Sequence, residues 1–209
     1  MEFHAVSTGQ QSIDQFVNIA SQIYPWTTAI HIREKQWSDS QIMDAVQQLV
    51  YVEVPLSQIR INSRPQLAKD MRVGGVHLSE HMSYMATDDP PSIWQVGRSV
   101  HSIEQALQAQ NDGIDYLFYG HIYRTNSKPN LNPRGLDQLE QMCRAVSIPV
   151  IAIGGIQPEH CTDIAQAGAT GIAVMSGIFE AENPKYACQL YNESIQHLTL
   201  TNVQSIGKK

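Results

Sequence analysis

One histidine stands where an apolar run of the sequence ends, and its side chain suits proton transfer. His121 closes the run Tyr-Leu-Phe-Tyr-Gly-His, directly after Gly120. An unperturbed imidazole has a pKa near 6.5, so it can both accept and release a proton at neutral pH. The chain contains eight histidines, so the residue type alone does not single out His121. Its position at the end of an apolar run does. We predict it as the catalytic acid–base residue.

The other histidines have less support from their surroundings. His31, His77 and His101 lie within or beside apolar runs, where a structural role is as consistent as a chemical one. His77 and His81 are four positions apart, but the intervening Leu-Ser-Glu is typical of a strand that passes into a loop. A zinc pair on a helix is therefore not expected. We predict no metal site and no cofactor.

Two later apolar runs pass directly into small residues. Ile-Ala-Ile is followed by Gly154 and Gly155, and Ala-Val-Met is followed by Ser176 and Gly177. Glycine lets backbone N–H groups approach an anion closely, and the start of a following helix adds a favourable dipole. We predict that these four residues bind the phosphate group of a small ligand.

Cationic side chains follow several other runs. Arg33, Arg64 and Arg98 provide fixed positive charge of the kind that binds phosphate or carboxylate. Each of them can instead pair with a neighbouring acid, and Glu34 beside Arg33 keeps that alternative open. Lys128 follows the sixth run, on a loop placed to close over the site. We predict it as a further ligand contact.

These residues need a scaffold that brings the ends of the runs together. Short β-type runs alternate with helix-like segments along the whole chain, which indicates a parallel sheet built from βαβ units. The predicted strands are Phe3–Thr8, Ala29–Glu34, Ile59–Asn62, Gly75–Ser79, Gln95–Ser99, Tyr116–His121, Val150–Gly154 and Gly171–Ser176. Eight strands favour a closed (β/α)8 TIM barrel over an open doubly wound sheet, and such barrels carry their sites at the carboxyl ends of the strands.

Helical patterns fill most of the intervals. The predicted helices are Ile13–Ile23, Asp39–Val50, Ile103–Asn111, Leu136–Val146, Pro158–Ala167 and Lys185–His197. Ser102 and Pro158 are typical of helix starts. Pro65–Arg72 and Tyr84–Trp94 show no clear pattern, and Asp-Asp-Pro-Pro within the second of them is typical of a loop.

Length and composition limit the class of protein. The 209 residues, 42% hydrophobic and 16% charged, suit a single globular domain over 1–209. A net charge of −6 disfavours nucleic-acid binding. The sequence has neither a membrane-length apolar run nor a signal-peptide pattern, so we expect a cytoplasmic protein. The three cysteines, Cys143, Cys161 and Cys188, are expected to be reduced thiols in or near helices.

An ordered series of motifs resembles a known family. The chain is similar to the thiamin phosphate synthase and TenI superfamily, and most of all to its TenI-type thiazole tautomerase branch. The resemblance is carried by His31–Glu34, Asn62–Arg64, Gly75–Leu78, Gly97–Ser102, Gly120–Thr125, Pro149–Gly155 and Gly171–Phe179.

Departures from the synthase pattern favour the tautomerase branch. Synthases of this family carry an acid after the Asn of an Asn-Asp-Arg motif, and another after the fourth strand, for magnesium diphosphate. This chain has Ser63 at the first place and Ser-Glu-His-Met, with Glu80 as a possible substitute, at the second. The synthases also have proline after the glycine of the sixth strand, where this chain has His121, as tautomerases do.

The resemblance implies an isomerase of thiamin biosynthesis. It would aromatise a 2-carboxy-4-methylthiazole phosphate tautomer, with His121 moving the proton. Arg33, Asn62, Arg98 and Ser99 would orient the ring or its carboxylate. Two alternatives stay open, a thiamin phosphate synthase with altered metal ligands and a non-catalytic TenI-type regulator. The expected partner is a small phosphorylated thiazole, and homo-oligomer formation is left open.

Overall fold

Eight parallel strands close into a barrel in this protein. The computed structural model describes residues 1–83 and 94–206, with side chains as far as residue 198. The strands pair in chain order, and β8 pairs with β1. They are β1 Glu2–Val6, β2 Ala29–Ile32, β3 Ile59–Asn62, β4 Gly75–Leu78, β5 Gln95–Val100, β6 Tyr116–Gly120, β7 Val150–Ile153 and β8 Gly171–Val174. This confirms the predicted (β/α)8 fold.

Helices surround the barrel. They are α1 Ile13–Ile23, α2 Asp39–Tyr51, α3 Pro65–Asp70, α4 Ile103–Asn111, α5 Gly135–Ala145, α6 Cys161–Gln166, α7 Ser176–Phe179 and α8 Pro184–Ile206. Ser102 caps α4 as predicted, because its side chain accepts a hydrogen bond from the backbone N–H of Gln105. Across the described ranges, every helix is too short or too polar to cross a membrane.

The predicted elements differ from the observed ones in a few places. The unclear segment Pro65–Arg72 contains α3, which begins at its proline. The predicted helix Pro158–Ala167 divides into a 3-10 turn, Pro158–His160, and α6. The predicted loop at Asp88–Pro91, with most of Tyr84–Trp94, lies outside the described residues.

The three cysteines lie in helices, as predicted, and are free thiols. Cys161 and Cys188 are buried, and Cys143 is half-buried. Burial raises the pKa of each thiol, so all three are poor nucleophiles at neutral pH.

Two apolar layers pack on the two faces of the strands. The larger lies between the strands and the helices, and the smaller lies inside the barrel around Tyr116 and Phe118. Barrel interiors are usually filled by branched aliphatic side chains. Here the buried side chains of His4, His31 and His77 join the two aromatic rings. The interior is therefore unusually polar just below the barrel mouth.

Candidate functional site

Two cavities open at the carboxyl ends of the strands. The larger, about 570 Å³, is called the polar cavity, and the smaller, about 250 Å³, the glycine cavity. Arg33, Ser99 and His101 line both, so the cavities adjoin. The polar cavity is also lined by Glu34, Lys35, Asn62, Ser63, Arg64, His77, Ser79 and Glu80. The glycine cavity is also lined by Phe118, His121, Thr125, Lys128, Ile153, Gly154, Gly155, Ser176 and Gly177.

The glycine cavity brings together all four residues predicted to bind phosphate. Gly154 and Gly155 follow β7 with φ values of +99° and +68°, which glycine adopts without steric cost. A Cβ at Gly154 would lie 2.3 Å from His121 Cβ, and one at Gly155 would lie 2.4 Å from the carbonyl oxygen of Arg124. The backbone therefore stays bare at this wall, as anion binding by N–H groups requires.

His121 lies against the same glycine turn. Its side chain is largely buried and lines the glycine cavity, and its Nε2 lies 3.2 Å from the carbonyl oxygen of Leu131. A carbonyl only accepts hydrogen bonds, so Nε2 carries the hydrogen, and Nδ1 of the neutral ring keeps its lone pair. The predicted proximity of His121 to the glycine turns is therefore present.

Two predicted cations reach the cavities. Arg33 continues β2 on the face that points into the barrel, and it lines both cavities. Lys128 lies on the loop between β6 and α5 and lines the glycine cavity. Both placements agree with the predicted ligand contacts.

Hydrogen bonds from the barrel interior hold two predicted polar residues. Asn62 Oδ1 lies 3.2 Å from His31 Nδ1, and Ser99 Oγ lies 2.9 Å from His77 Nε2. Arg64, in contrast, is tied to the loop before α2, where its Nη2 donates to the carbonyl of Trp37 at 2.6 Å and its Nε pairs with Asp39 at 3.3 Å.

Arg98 lies away from both cavities, and the prediction that it contacts the ligand is corrected. Successive side chains of a strand point to opposite faces, so Arg98 points to the helix layer when Ser99 points into the barrel. Its Nη1 donates to Asp112 Oδ2 at 2.6 Å, and Nη2 donates to the carbonyl of Met82 at 3.2 Å. The first of these bonds lowers the pKa of the Asp112 carboxyl.

Two functional positions were missed by the sequence analysis. His101 lines both cavities, and its Nε2 lies 3.4 Å from Glu80 Oε2. Burial lowers its pKa although Glu80 acts in the opposite sense. Lys35 lines the polar cavity. For His101 the period of two along a strand was the available signal, since it follows Ser99 by two positions at the end of β5, whereas Lys35 lies in a turn after β2, where that period does not apply.

The carboxylates of the polar cavity do not form a magnesium clamp. Glu80 pairs with His81 at 2.9 Å and with His101, and Glu34 accepts a bond from the backbone N–H of Gly9. The position after Asn62 holds a hydroxyl, Ser63. Within residues 1–83 and 94–206, no three His, Cys, Asp or Glu side chains are grouped to hold a metal ion.

A closed parallel barrel with glycine and other small residues after its last two strands is the arrangement in which TIM barrels frequently bind phosphate groups. The chain belongs to the thiamine monophosphate synthase (TMP-TENI) family, whose model matches residues 3–178. The thiamine-phosphate synthase of Clostridium tetani is 32% identical over 175 residues, 78% of this chain and 79% of that protein. The thiamine-phosphate synthase of Chloroflexus aurantiacus is 35% identical over 178 residues, 79% of this chain and 78% of that protein.

Solved structures agree on the fold. Thiamine phosphate pyrophosphorylase from Pyrococcus furiosus superposes with a TM-score of 0.73 at 23% identity, covering 94% of this chain and 96% of that one. The (S)-3-O-geranylgeranylglyceryl phosphate synthase of Thermoplasma acidophilum gives 0.71 at 15% identity, covering 94% and 93%.

The prediction of an isomerase is wrong. The curated relatives described above are thiamine-phosphate synthases, which are transferases. The membership of the wider family is confirmed, whereas the departures at Ser63 and His121 gave the wrong reaction class.

Proposed function

We propose that the protein is a transferase that joins a thiazole phosphate to a pyrimidine diphosphate, as the names of its relatives suggest. The observation that carries the proposal is the pair of adjoining cavities at one barrel mouth. A reaction between two substrates needs two sites that share a boundary, so that the reacting atoms meet. Arg33, Ser99 and His101 form that boundary.

The glycine cavity suits the thiazole phosphate. Gly154, Gly155 and Gly177 line it with backbone that carries no side chain, which lets N–H groups approach an anion, and Lys128 adds a positive charge. Phe118 and Ile153 supply apolar surface for the ring. His121 packs beside the glycine turn, where we assign it to contact with the substrate.

The polar cavity suits the diphosphate of the second substrate. Its wall carries the cations Arg33, Lys35 and Arg64, which provide charge-assisted hydrogen bonds to phosphate oxygens. Among the described residues the carboxylates do not fit the family's magnesium clamp, and we assign the binding of the leaving diphosphate to these cationic side chains.

Bond formation and cleavage balance in a single displacement. The ring nitrogen of the thiazole forms a bond to the carbon that bears the diphosphate, and the carbon–oxygen bond of that group breaks. The electron pair leaves with pyrophosphate, and no proton has to be transferred. The protein's task is therefore to hold both substrates in line and to stabilise the departing negative charge.

The proposal is tested by incubating the protein with both substrates, with and without magnesium, and quantifying thiamine phosphate and pyrophosphate. We expect the two products in equal amounts, and only when both substrates are present. Absence of both products under all of these conditions would contradict the proposal.

Two lysine variants test which substrate each cavity takes. Lys35→Ala removes a cation from the polar cavity, and Lys128→Ala removes one from the glycine cavity. We expect Lys35→Ala to raise the KM for the pyrimidine diphosphate, and Lys128→Ala to raise that for the thiazole phosphate. Each variant is the control for the other, and the reverse pattern would show that the substrates are assigned to the wrong cavities.

A cytoplasmic location and the absence of nucleic-acid binding stay predictions, and homo-oligomer formation stays open.

A further inference from the structure

A row of hydrogen-bonded side chains passes through the barrel interior and ends in the polar cavity. It begins at Glu2, at the amino end of β1, where Glu2 Oε2 lies 3.0 Å from His4 Nε2. His4 Nδ1 lies 2.9 Å from His31 Nε2, and His31 Nδ1 lies 3.2 Å from Asn62 Oδ1. We call Glu2, His4 and His31 the histidine column. It connects the far end of the barrel to a cavity-lining amide.

The number of hydrogens in the column fixes its direction. A neutral imidazole has one N–H, and an ionised carboxylate only accepts hydrogen bonds. His4 therefore donates from Nε2 to Glu2, which leaves its Nδ1 as an acceptor. His31 must then donate from Nε2 to His4, so its own Nδ1 also becomes an acceptor.

Asn62 is hydrogen-bonded to the end of the histidine column, and only one end of its amide can donate to an imidazole nitrogen that carries no hydrogen. The NH2 group donates whereas Oδ1 accepts, so the neutral column requires the NH2 group at His31 Nδ1. Oδ1 at His31 Nδ1, the placement in which these two atoms lie 3.2 Å apart, requires one more proton, because His31 must then donate from Nδ1, and either His31 or His4 from both nitrogens. A half-turn of the amide exchanges its two ends without moving other atoms. The protonation state of the histidine column therefore decides whether the NH2 group or Oδ1 of Asn62 faces the polar cavity.

Charged and titratable groups from three other strands face the column. Burial lowers the pKa of His4 although Glu2 acts in the opposite sense, and burial lowers that of His31 still further. The hydrogen bond with His4 lowers the pKa of Glu2, and the charge of Arg60 on β3 adds to this effect. Burial also lowers the pKa of His77 on β4 to about 3, and raises that of Tyr116 on β6. The surroundings therefore favour neutral rings beside an ionised Glu2 at pH 7.

We propose that the histidine column positions Asn62 so that its carbonyl oxygen faces the polar cavity. The cavity then offers a hydrogen-bond acceptor at this point, and the substrate group that meets it is a donor, such as an amino or hydroxyl group. The chemical class of that substrate rests on the proposed function, but the orientation of Asn62 does not.

The position of the ring hydrogens is measured by two-bond 1H–15N correlation spectra of the 15N-histidine-labelled protein at pH 7. We expect both His4 and His31 to be neutral, with the hydrogen on Nε2. A hydrogen on Nδ1 of His31 at this pH would overturn the proposal. No substrate or turnover enters the measurement, so its outcome is separate from that of the transfer assay.

Asn62→Asp tests the coupling along the column. A carboxylate at this position can only accept, so His31 must donate from Nδ1, and the column must take up one proton at pH 7, on either His31 or His4. The matched control is Ser63→Asp, which places a carboxylate one position away, where φ is +60°, a conformation that aspartate tolerates. We expect the control to leave the signals of both rings unchanged. A His31 Nδ1 that still carries no hydrogen in Asn62→Asp would overturn the proposal.

Discussion

At the scale of single residues, Arg33 is the side chain that joins the two halves of the site. It lines both cavities, whereas Arg64 lines only the polar cavity and Arg98, bonded to Asp112, lines neither. Three arginines stand at the carboxyl ends of predicted strands, but only Arg33 is placed where the two cavities adjoin. The direction of a side chain, rather than its position along the chain, decides its role.

Replacing Arg33 by methionine removes this shared charge while it keeps most of the side chain's length. A lost charge-assisted hydrogen bond costs about 1.5–3 kcal/mol, so the Kd for each substrate should rise about 10- to 100-fold. Isothermal titration with the thiazole phosphate and the pyrimidine diphosphate, each alone, measures both constants.

The control for Arg33→Met is Arg144→Met, at an exposed arginine of α5 that pairs with Glu140 at 2.5 Å. We expect it to leave both constants unchanged. If Arg33→Met weakened only one ligand, Arg33 would belong to one substrate and the shared boundary would be incorrect.

At the scale of elements, the turn after β7 shows how local backbone shape makes a binding wall. Gly155 has φ +68°, and a Cβ there would lie 2.4 Å and 2.6 Å from the carbonyl oxygens of Arg124 and Tyr123. The turn therefore needs glycine both for its conformation and for its contact with the segment after β6.

Gly155→Ala should lose stability for both reasons. A left-handed conformation costs alanine about 1 kcal/mol, and a clash with fixed backbone adds about 1–3 kcal/mol. We expect Tm to fall by about 4–16 °C, at about 2–4 °C per kcal/mol for a chain of this size. Differential scanning calorimetry measures the change.

Gly113→Ala separates the two contributions. Gly113 follows α4 with φ +79°, and a Cβ there would meet no atom within 4 Å. Only the left-handed conformation destabilises this variant, so its Tm should fall by about 2–4 °C. Equal losses in the two variants would mean that the turn after β7 yields to the added methyl group.

At the scale of the whole molecule, three buried histidines make stability depend on pH. His4, His31 and His77 are almost entirely inaccessible to solvent, and burial lowers the pKa of each. Each ring binds a proton more weakly in the folded chain than in the unfolded chain, so acid favours unfolding. The stabilisation is complete above pH about 6.5 and decreases as the pH falls below it.

The expected loss is large enough to measure. Each fully neutral histidine contributes up to about 1.4 kcal/mol per pH unit below 6.5, so three together lower the unfolding free energy by about 2–4 kcal/mol between pH 7 and 5.5. The lowered pKa of Glu2 acts in the same sense, but only below pH about 4.5. Urea unfolding at the two pH values measures the difference.

An exposed histidine provides the control for this dependence on pH. His81→Gln changes a side chain that is 84% exposed, and we expect it to leave the pH dependence as it is. His77→Gln should reduce the dependence by about a third, because one of the three rings is removed. An unfolding free energy that is the same at pH 7 and 5.5 would show that the buried rings are protonated in the folded chain.

The sequence by itself determined the barrel and much of its mouth. Alternating apolar runs gave all eight strands, and small residues after the last two gave the turn at Gly154 and Gly155 and the helix start at Ser176 and Gly177, which line one cavity. Both signals are local, since they depend on the period of a strand and on the backbone freedom of glycine. His121 and Arg33 were found in the same way, from their positions at strand ends.

Only the tertiary structure decided which side chains share a cavity. Which side chains of a strand point into the barrel depends on how the strand pairs with its two neighbours. No local signal in the sequence therefore shows that Ser99 points inward and Arg98 outward. The same pairing brings His4 and His31 of the histidine column into a hydrogen-bonded row with Asn62, although the three residues lie on three strands. Hydrogen-bond direction through such a column depends on contacts between distant segments, which no local pattern in the sequence contains.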